Sequence, residues 1–294
     1  MYDVGNMSIQ IPELDLENLN KKTSNDVPWY ESVLRGSDKL LITVGDSWTW
    51  GASLGPNRIE EVYGAVLSKK LDADFLNLAV CGGSNAQMHD LLKTAWPRVA
   101  DQYQHIYVVV TLTELAREVM SDPLWTTMWT QEQDHLESLD QLLQSYEHKM
   151  LASFADLFDS FKGASVLIGR NFTRTYDDNV GILSRVHLHH TWVDLLSEYQ
   201  GLEGYPTTLR FLSGQSLQPL MTYLKNIKMY VKFRQDLCNK FFEAEEAINW
   251  LDESALNYKQ ATRHPIAEAH KIWADYLHFN FVNGLNKYYH ARRD

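Results

Sequence analysis

Three short stretches of this chain hold residue types able to do nucleophilic chemistry, and they lie far apart: Gly45-Asp46-Ser47, Gly82-Gly83-Ser84-Asn85 and His264-Pro265. The first closes LLITV, a short apolar run rich in β-branched residues. Ser47 is therefore expected at the carboxyl end of a buried strand, where open α/β sheets gather ligands and catalytic groups. A serine hydroxyl becomes a useful nucleophile when a base takes its proton, and the oxyanion formed by its attack needs donors. His264 is the candidate base, because a histidine just before a helix-opening proline belongs on a loop at the sheet edge. Gly82 and Gly83 follow a second strand and let backbone N–H groups come close to a substrate. Ser84 and Asn85 either add side-chain donors or cap the next helix.

Positioning such groups requires a scaffold. Apolar, β-prone runs predict strands over Lys39–Val44, Phe75–Val80, His105–Thr111 and Ala164–Arg170. Helix-compatible segments lie between them at Ile59–Leu71, Asn85–Asp101 and Leu136–Phe161, and a last helix is predicted from Pro265 to about Tyr289. HIYVVVTL is apolar at successive positions, as a strand covered on both faces should be. The expected fold class is α/β: a three-layer α/β/α sandwich, flavodoxin-like, around a mostly parallel sheet. Residues 1–38 read as an irregular N-terminal extension, or equally as an arm for oligomerisation. Residues 39–294 read as one domain with a mainly helical insertion at about 173–256, where Leu220, Leu224, Ile227, Tyr230 and Val231 recur at helical spacing.

Composition narrows the partners. The 294 residues suffice for one sizeable core, and the net charge of −11 argues against nucleic acid, whose binding draws on clustered Lys and Arg. No window approaches a membrane span, and the first residues lack the basic-then-apolar order of a secretory signal. With only Cys81 and Cys238, no disulfide framework is expected and a reducing, cytoplasmic setting fits. Cys81 is expected to be a small buried hydrophobe. His187, His189 and His190 lack a completing carboxylate or thiol nearby, so a polar loop is expected there and no metal site. No GxxxxGK[ST] or GxGxxG loop is present, and no cofactor is expected. Trp48 and Trp50 flank Ser47 and serve either a substrate pocket or packing.

Taken together, these blocks resemble the SGNH (GDSL-type) hydrolase superfamily. Gly45-Asp46-Ser47 with Thr49 and Gly51 is similar to its first block, Asn77 and Gly82 to its second, and His264-Pro265 to its last. The resemblance covers roughly Lys39–Arg170 and Asn257–His278. It implies a serine esterase or deacetylase acting through an acyl-enzyme on a small-molecule or carbohydrate ester, often an O-acetyl group. Ser47 would be the nucleophile, His264 the general base, Ser47 and Gly82 backbone donors, and Asp46 a residue that orients the loop. HPIAEAHKIWADYL also looks like the tail of such proteins from tailed bacteriophages, which would imply a host-cytoplasmic or virion location and virion assembly or homo-oligomers.

Two departures define the alternative. The family's third block, Gly-x-Asn-Asp, is replaced by Thr111-Leu112-Thr113-Glu114, in which Thr113 is the candidate donor. Glu114 would repel an oxyanion unless turned away or paired with Arg117. The family's aspartate three residues before the histidine is replaced by Ala261. Either His264 finds another orienting group, or the chain is a catalytically impaired binding or virion-associated structural protein on the same fold. A flavin or nucleotide binder of flavodoxin type is a third reading.

Overall fold

The computed structural model describes residues 30–113, 115, 136–171, 182, 187–188, 191–192, 195–196, 241 and 264–283. Among the described residues six strands form one sheet: β1 (Glu31–Val33), β2 (Lys39–Gly45), β3 (Asp74–Asn77), β4 (His105–Leu112), β5 (Ala164–Arg170) and β6 (His187–Leu188). Their spatial order is β1-β3-β2-β4-β5-β6, with β1 antiparallel to β3 and every other pair parallel. The register sets Leu41 beside Phe75 on one flank and beside Tyr107 on the other. Among the described residues the helices are α1 (Ser47–Trp50), α2 (Arg58–Glu61), α3 (Tyr63–Leu71), α4 (Asn85–Val99), α5 (Leu136–Asp159) and α6 (Ala267–Asn283).

The parallel strands run in the doubly wound order of flavodoxin-like sheets. From β2 the chain steps to β3 on one side and then crosses back to β4 on the other. Right-handed crossovers in opposite directions put their helices on opposite faces, which makes the three layers. They also open a crevice at the carboxyl ends of β2 and β4, the switch point of the winding.

Both layers are sealed by aromatic side chains. Between α3 and α6, Trp192 lies fully buried against Trp273 at 4.8 Å and nearly parallel, with Tyr63 and Trp48 meeting it edge-on at 5.5 and 5.9 Å. On the other side Trp96 of α4 stacks on Phe161 at 3.8 Å, beside Phe154 and Phe158 of α5. Burying rings of this size contributes on the order of 2–3 kcal/mol each. Trp48 is thus core packing and is no part of an open pocket. Trp50 is half-buried under the Arg58 guanidinium, 3.5 Å from its ring.

Two segments differ from expectation. The expected extension does not stay irregular up to residue 38, because Glu31–Val33 adds an edge strand to the sheet. Asp74 holds it there by accepting the Arg35 N–H at 2.6 Å, while the Arg35 guanidinium donates to the Ala73 carbonyl at 2.8 Å. A three-residue strand is too short to show a period, so it reads as loop. The expected helical insertion lies mostly outside the described residues. Within it, however, His187–Leu188 pairs with β5 as β6, and Trp192 joins the core. His187 therefore belongs to a strand, while His189 and His190 lie outside the described residues.

Candidate active site

The turn after β2 is built by close approach. A Cβ on Gly45 would fall 2.1 Å from Thr49 Oγ1 and 2.6 Å from Thr49 Cβ, so only glycine lets α1 fold back onto the strand end. Asp46 caps α1: its Oδ1 accepts the Trp48 N–H at 3.0 Å. Gly51 ends the helix in the left-handed region at φ +84°, where a Cβ would also crowd Leu54, Arg58 and Val62. The spacing Gly45, Asp46, Thr49, Gly51 is thus one compact device that presents Ser47 at the rim, half-buried, above a buried strand. As the first residue of α1, Ser47 has a backbone N–H with no acceptor inside the helix.

His264 reaches the same rim from the far end of the sequence. Its Nε2 stands 3.1 Å from Ser47 Oγ, within hydrogen-bond reach across 217 residues. The lead-in to α6 is tied down on both sides of that histidine's proline. Ser53 Oγ donates to the Pro265 carbonyl, and the Ile266 N–H donates to the Phe241 carbonyl at 2.9 Å.

The second glycine block arrives beside them because the chain continues along β2 beyond β3. The Leu78 N–H donates to the Thr43 carbonyl at 2.8 Å and the Val80 N–H to the Gly45 carbonyl at 2.9 Å. The turn then closes with the Gly83 N–H on the Val80 carbonyl at 2.8 Å, and Gly82 takes φ +76°. Gly82 is exposed, open space lies where a Cβ would stand, and its N–H has no partner among the described residues. The same turn carries Cys81 to the surface, so the expectation of a buried thiol is corrected: Cys81 is exposed.

Asn85 and Thr113 are also corrected. Asn85 was expected to add a donor or cap the next helix and Thr113 to be a donor; both are fully buried and bonded to each other. The Thr113 N–H donates to Asn85 Oδ1 at 2.8 Å, and Asn85 Nδ2 donates to the Thr113 carbonyl at 3.2 Å. The Thr113 hydroxyl turns inward and donates to Asp46 Oδ2 at 3.1 Å. Ser84 takes the capping role, accepting the Gln87 N–H at 3.2 Å. Glu114, Arg117 and Ala261 lie outside the described residues.

A residue that sequence reasoning missed completes this buried layer. Asn171, just past β5, donates from Nδ2 to Asp46 Oδ1 at 2.9 Å, and its own N–H donates to the Leu112 carbonyl at 3.2 Å. Its neighbour Arg170 pairs with Glu147 of α5 at 2.6 Å, both ends buried. Asp46 thus accepts from the Trp48 backbone, Thr113 and Asn171, and its carboxylate stitches the ends of β2, β4 and β5 together. The available signal was position: a polar side chain directly after a strand, on the carboxyl edge. Below this layer the Tyr63 hydroxyl lies 3.5 Å from Thr111 Oγ1, and burial pushes its pKa up to about 12, so the phenol stays neutral.

No family model matches the chain, and no curated protein matches it. Solved structures with a likeness to it include Axe2, an acetylxylan esterase from Geobacillus stearothermophilus, at 14% identity and TM-score 0.33 over 85% of this chain and 95% of that chain. A protein assigned to the G-D-S-L lipolytic family from Desulfitobacterium hafniense gives 12% and 0.34 over 66% of this chain and 98% of that one. A lipase from a goat rumen metagenome gives 10% and 0.38 over 84% and 98%. The comparisons give no support to a bacteriophage origin.

Proposed function

We propose that this chain is a serine ester hydrolase of SGNH type. The observation that carries the reading is the 3.1 Å approach of Ser47 Oγ and His264 Nε2 at the switch point of the sheet, beside the open Gly82 turn. For Ser47 to donate its proton, the imidazole must be neutral and carry its own hydrogen on Nδ1. As Oγ attacks the acyl carbon, the hydroxyl proton passes to Nε2 and the carbonyl electrons move onto oxygen. The Ser47 and Gly82 N–H groups receive that oxyanion. Collapse breaks the bond to the alcohol oxygen, which leaves with the proton from Nε2, and water repeats the sequence on the acyl-enzyme to release the acid and free Ser47. Asp46 holds the loop through its three hydrogen bonds and takes no part in proton transfer. An O-acetyl group on a carbohydrate is the substrate class proposed for the site.

The test is a fluorophosphonate probe together with acetate release from acetylated oligosaccharides. A single adduct on Ser47 is expected, absent from Ser47→Ala and His264→Ala, with acetate release lowered by about 10³–10⁴-fold in each. Failure of the unaltered protein to form that adduct, under conditions that label an ordinary esterase, sinks the reading. One observation favours the second reading, an impaired, carbohydrate-binding protein on this fold: Thr113 spends both its N–H and its hydroxyl inside the protein, so the third block offers no donor from that residue. Binding without acetate release, retained in Ser47→Ala, would select it.

A further inference from the structure

We infer that His270 is a positioning residue for the Ser47–His264 pair: by accepting the Tyr63 backbone N–H it fixes the first turn of α6 on the first residue of α3, and so sets where His264 stands. The inference rests on the hydrolase reading for its functional meaning and on geometry for its mechanism. Tyr63 opens α3 behind Val62, which is in extended conformation and supplies no side-chain cap. Its N–H is therefore one of the donors a helix start leaves over, and it is buried, where an unmet N–H is costly. His270 Nδ1 meets it at 3.2 Å from a side chain with no exposure. The imidazole lies parallel to the Tyr63 ring at 6.2 Å and edge-on to Trp192 at 5.1 Å, so the ring is held by its neighbours on both sides.

Only six positions separate this clamp from His264, and the chain between them is pinned. Ser53 Oγ holds the Pro265 carbonyl, the Ile266 N–H holds Phe241, and the His270 N–H closes on the Ile266 carbonyl at 3.1 Å. A shift of the first turn of α6 is therefore passed to His264 rather than absorbed. Acceptance at Nδ1 requires a neutral ring with its proton on Nε2, which makes no hydrogen bond among the described residues. Burial outweighs the opposing pull of the Pro265 carbonyl and, with the nearby His264 acting in the same direction as burial, pushes the His270 pKa down to about 3, so the clamp is closed at neutral pH. The groups around it are the Pro265 carbonyl and His264 on the lead-in, the neutral Tyr63 phenol on α3, Trp192, and the exposed Lys70–Asp275 pair at 2.8 Å farther along the two helices.

The experiment compares the full chain with His270→Asn, which keeps an acceptor but cannot be protonated in this range, and His270→Leu, which fills similar space with no acceptor. Fluorophosphonate labelling of Ser47 at pH 7.5 and hydrogen exchange at the Tyr63 amide are both measured. Because small misplacements of a base are strongly felt, labelling should slow about 10–100-fold in His270→Leu and stay within about 3-fold in His270→Asn. Exchange at Tyr63 should quicken in the leucine protein alone. Equal labelling and equal protection in all three proteins, or the same fall in both variants, overturns the inference. Should the leucine protein not fold, His270→Asn decides: near-normal labelling and protection support the clamp, and a fall of more than about 10-fold in a folded protein refutes it. If the unaltered chain never labels, the hydrolase reading fails, and the exchange arm still judges the clamp.

Discussion

The rim of the sheet has two halves that use the same kinds of residue for opposite ends. Inward, Asp46, Asn85, Thr113 and Asn171 are buried: Asp46 joins the ends of β2, β4 and β5 through Thr113 and Asn171, and Asn85 ties the start of α4 to Thr113. Outward, among the described residues, Ser47 and Gly82 keep backbone N–H groups unspent, and the Ser47 hydroxyl is shared only with a half-buried histidine. A polar group engaged inside the protein, as the Asp46 carboxylate is by three donors, holds geometry. One left short of partners is available to a ligand. The inner half is what lets the outer half remain short of partners without collapsing, because the loop bearing Ser47 is already held by Asp46.

Removing the inner anchor should have the largest effect on stability. Asp46→Ala leaves the Trp48 N–H, the Thr113 hydroxyl and the Asn171 amide facing a void, and a loss of about 3–5 kcal/mol in denaturant unfolding is expected. A loss under about 1 kcal/mol would erase the distinction between the halves.

Acid comes next, acting through His270. His270 has a folded pKa of about 3 against an ordinary value of 6.5, so the fold prefers its neutral form. Its contribution is complete above about pH 6.5 and is withdrawn as pH falls toward 3, by up to about 1.4 kcal/mol per pH unit. Unfolding free energies measured from pH 7 to pH 4 should show that slope and should flatten in His270→Asn. An unchanged slope in the variant would assign the acid sensitivity elsewhere.

The smallest effect belongs to the outer half. Gly82→Ala meets no atom, so its expected cost is that of φ +76° alone, about 1–2 kcal/mol by thermal unfolding. A loss of 4 kcal/mol or more would mean that the Gly82 turn is packed like the inner half.

Much of the scaffold was legible because burial on both faces leaves a pattern. HIYVVVTL and ASVLIGR read as strands and are strands, over His105–Leu112 and Ala164–Arg170. The helix predicted over Ile59–Leu71 is there but breaks at Val62, whose ψ of 142° no propensity would announce. The edge strands β1 and β6 were not legible, since three and two residues carry no period and are held by a neighbouring strand and by contacts such as Asp74 with Arg35. Of the site, the meeting of Ser47 with His264 could be anticipated from topology: one ends a central strand, the other opens the helix that packs back beside it. The exposure of Cys81 depended on a turn that only the φ of Gly82 reveals.

From its order of residue types alone, then, this chain determined the layered sheet and the place of Ser47 at a strand end. Which polar side chains at that end turn inward was decided only in three dimensions. Asn85 and Thr113 are ordinary polar letters until the ends of β2, β4 and β5 converge on one carboxylate. That convergence, rather than any local preference, engages the Thr113 hydroxyl on Asp46 and the Asn85 amide on the Thr113 backbone, and leaves the Ser47–His264 pair on the open side.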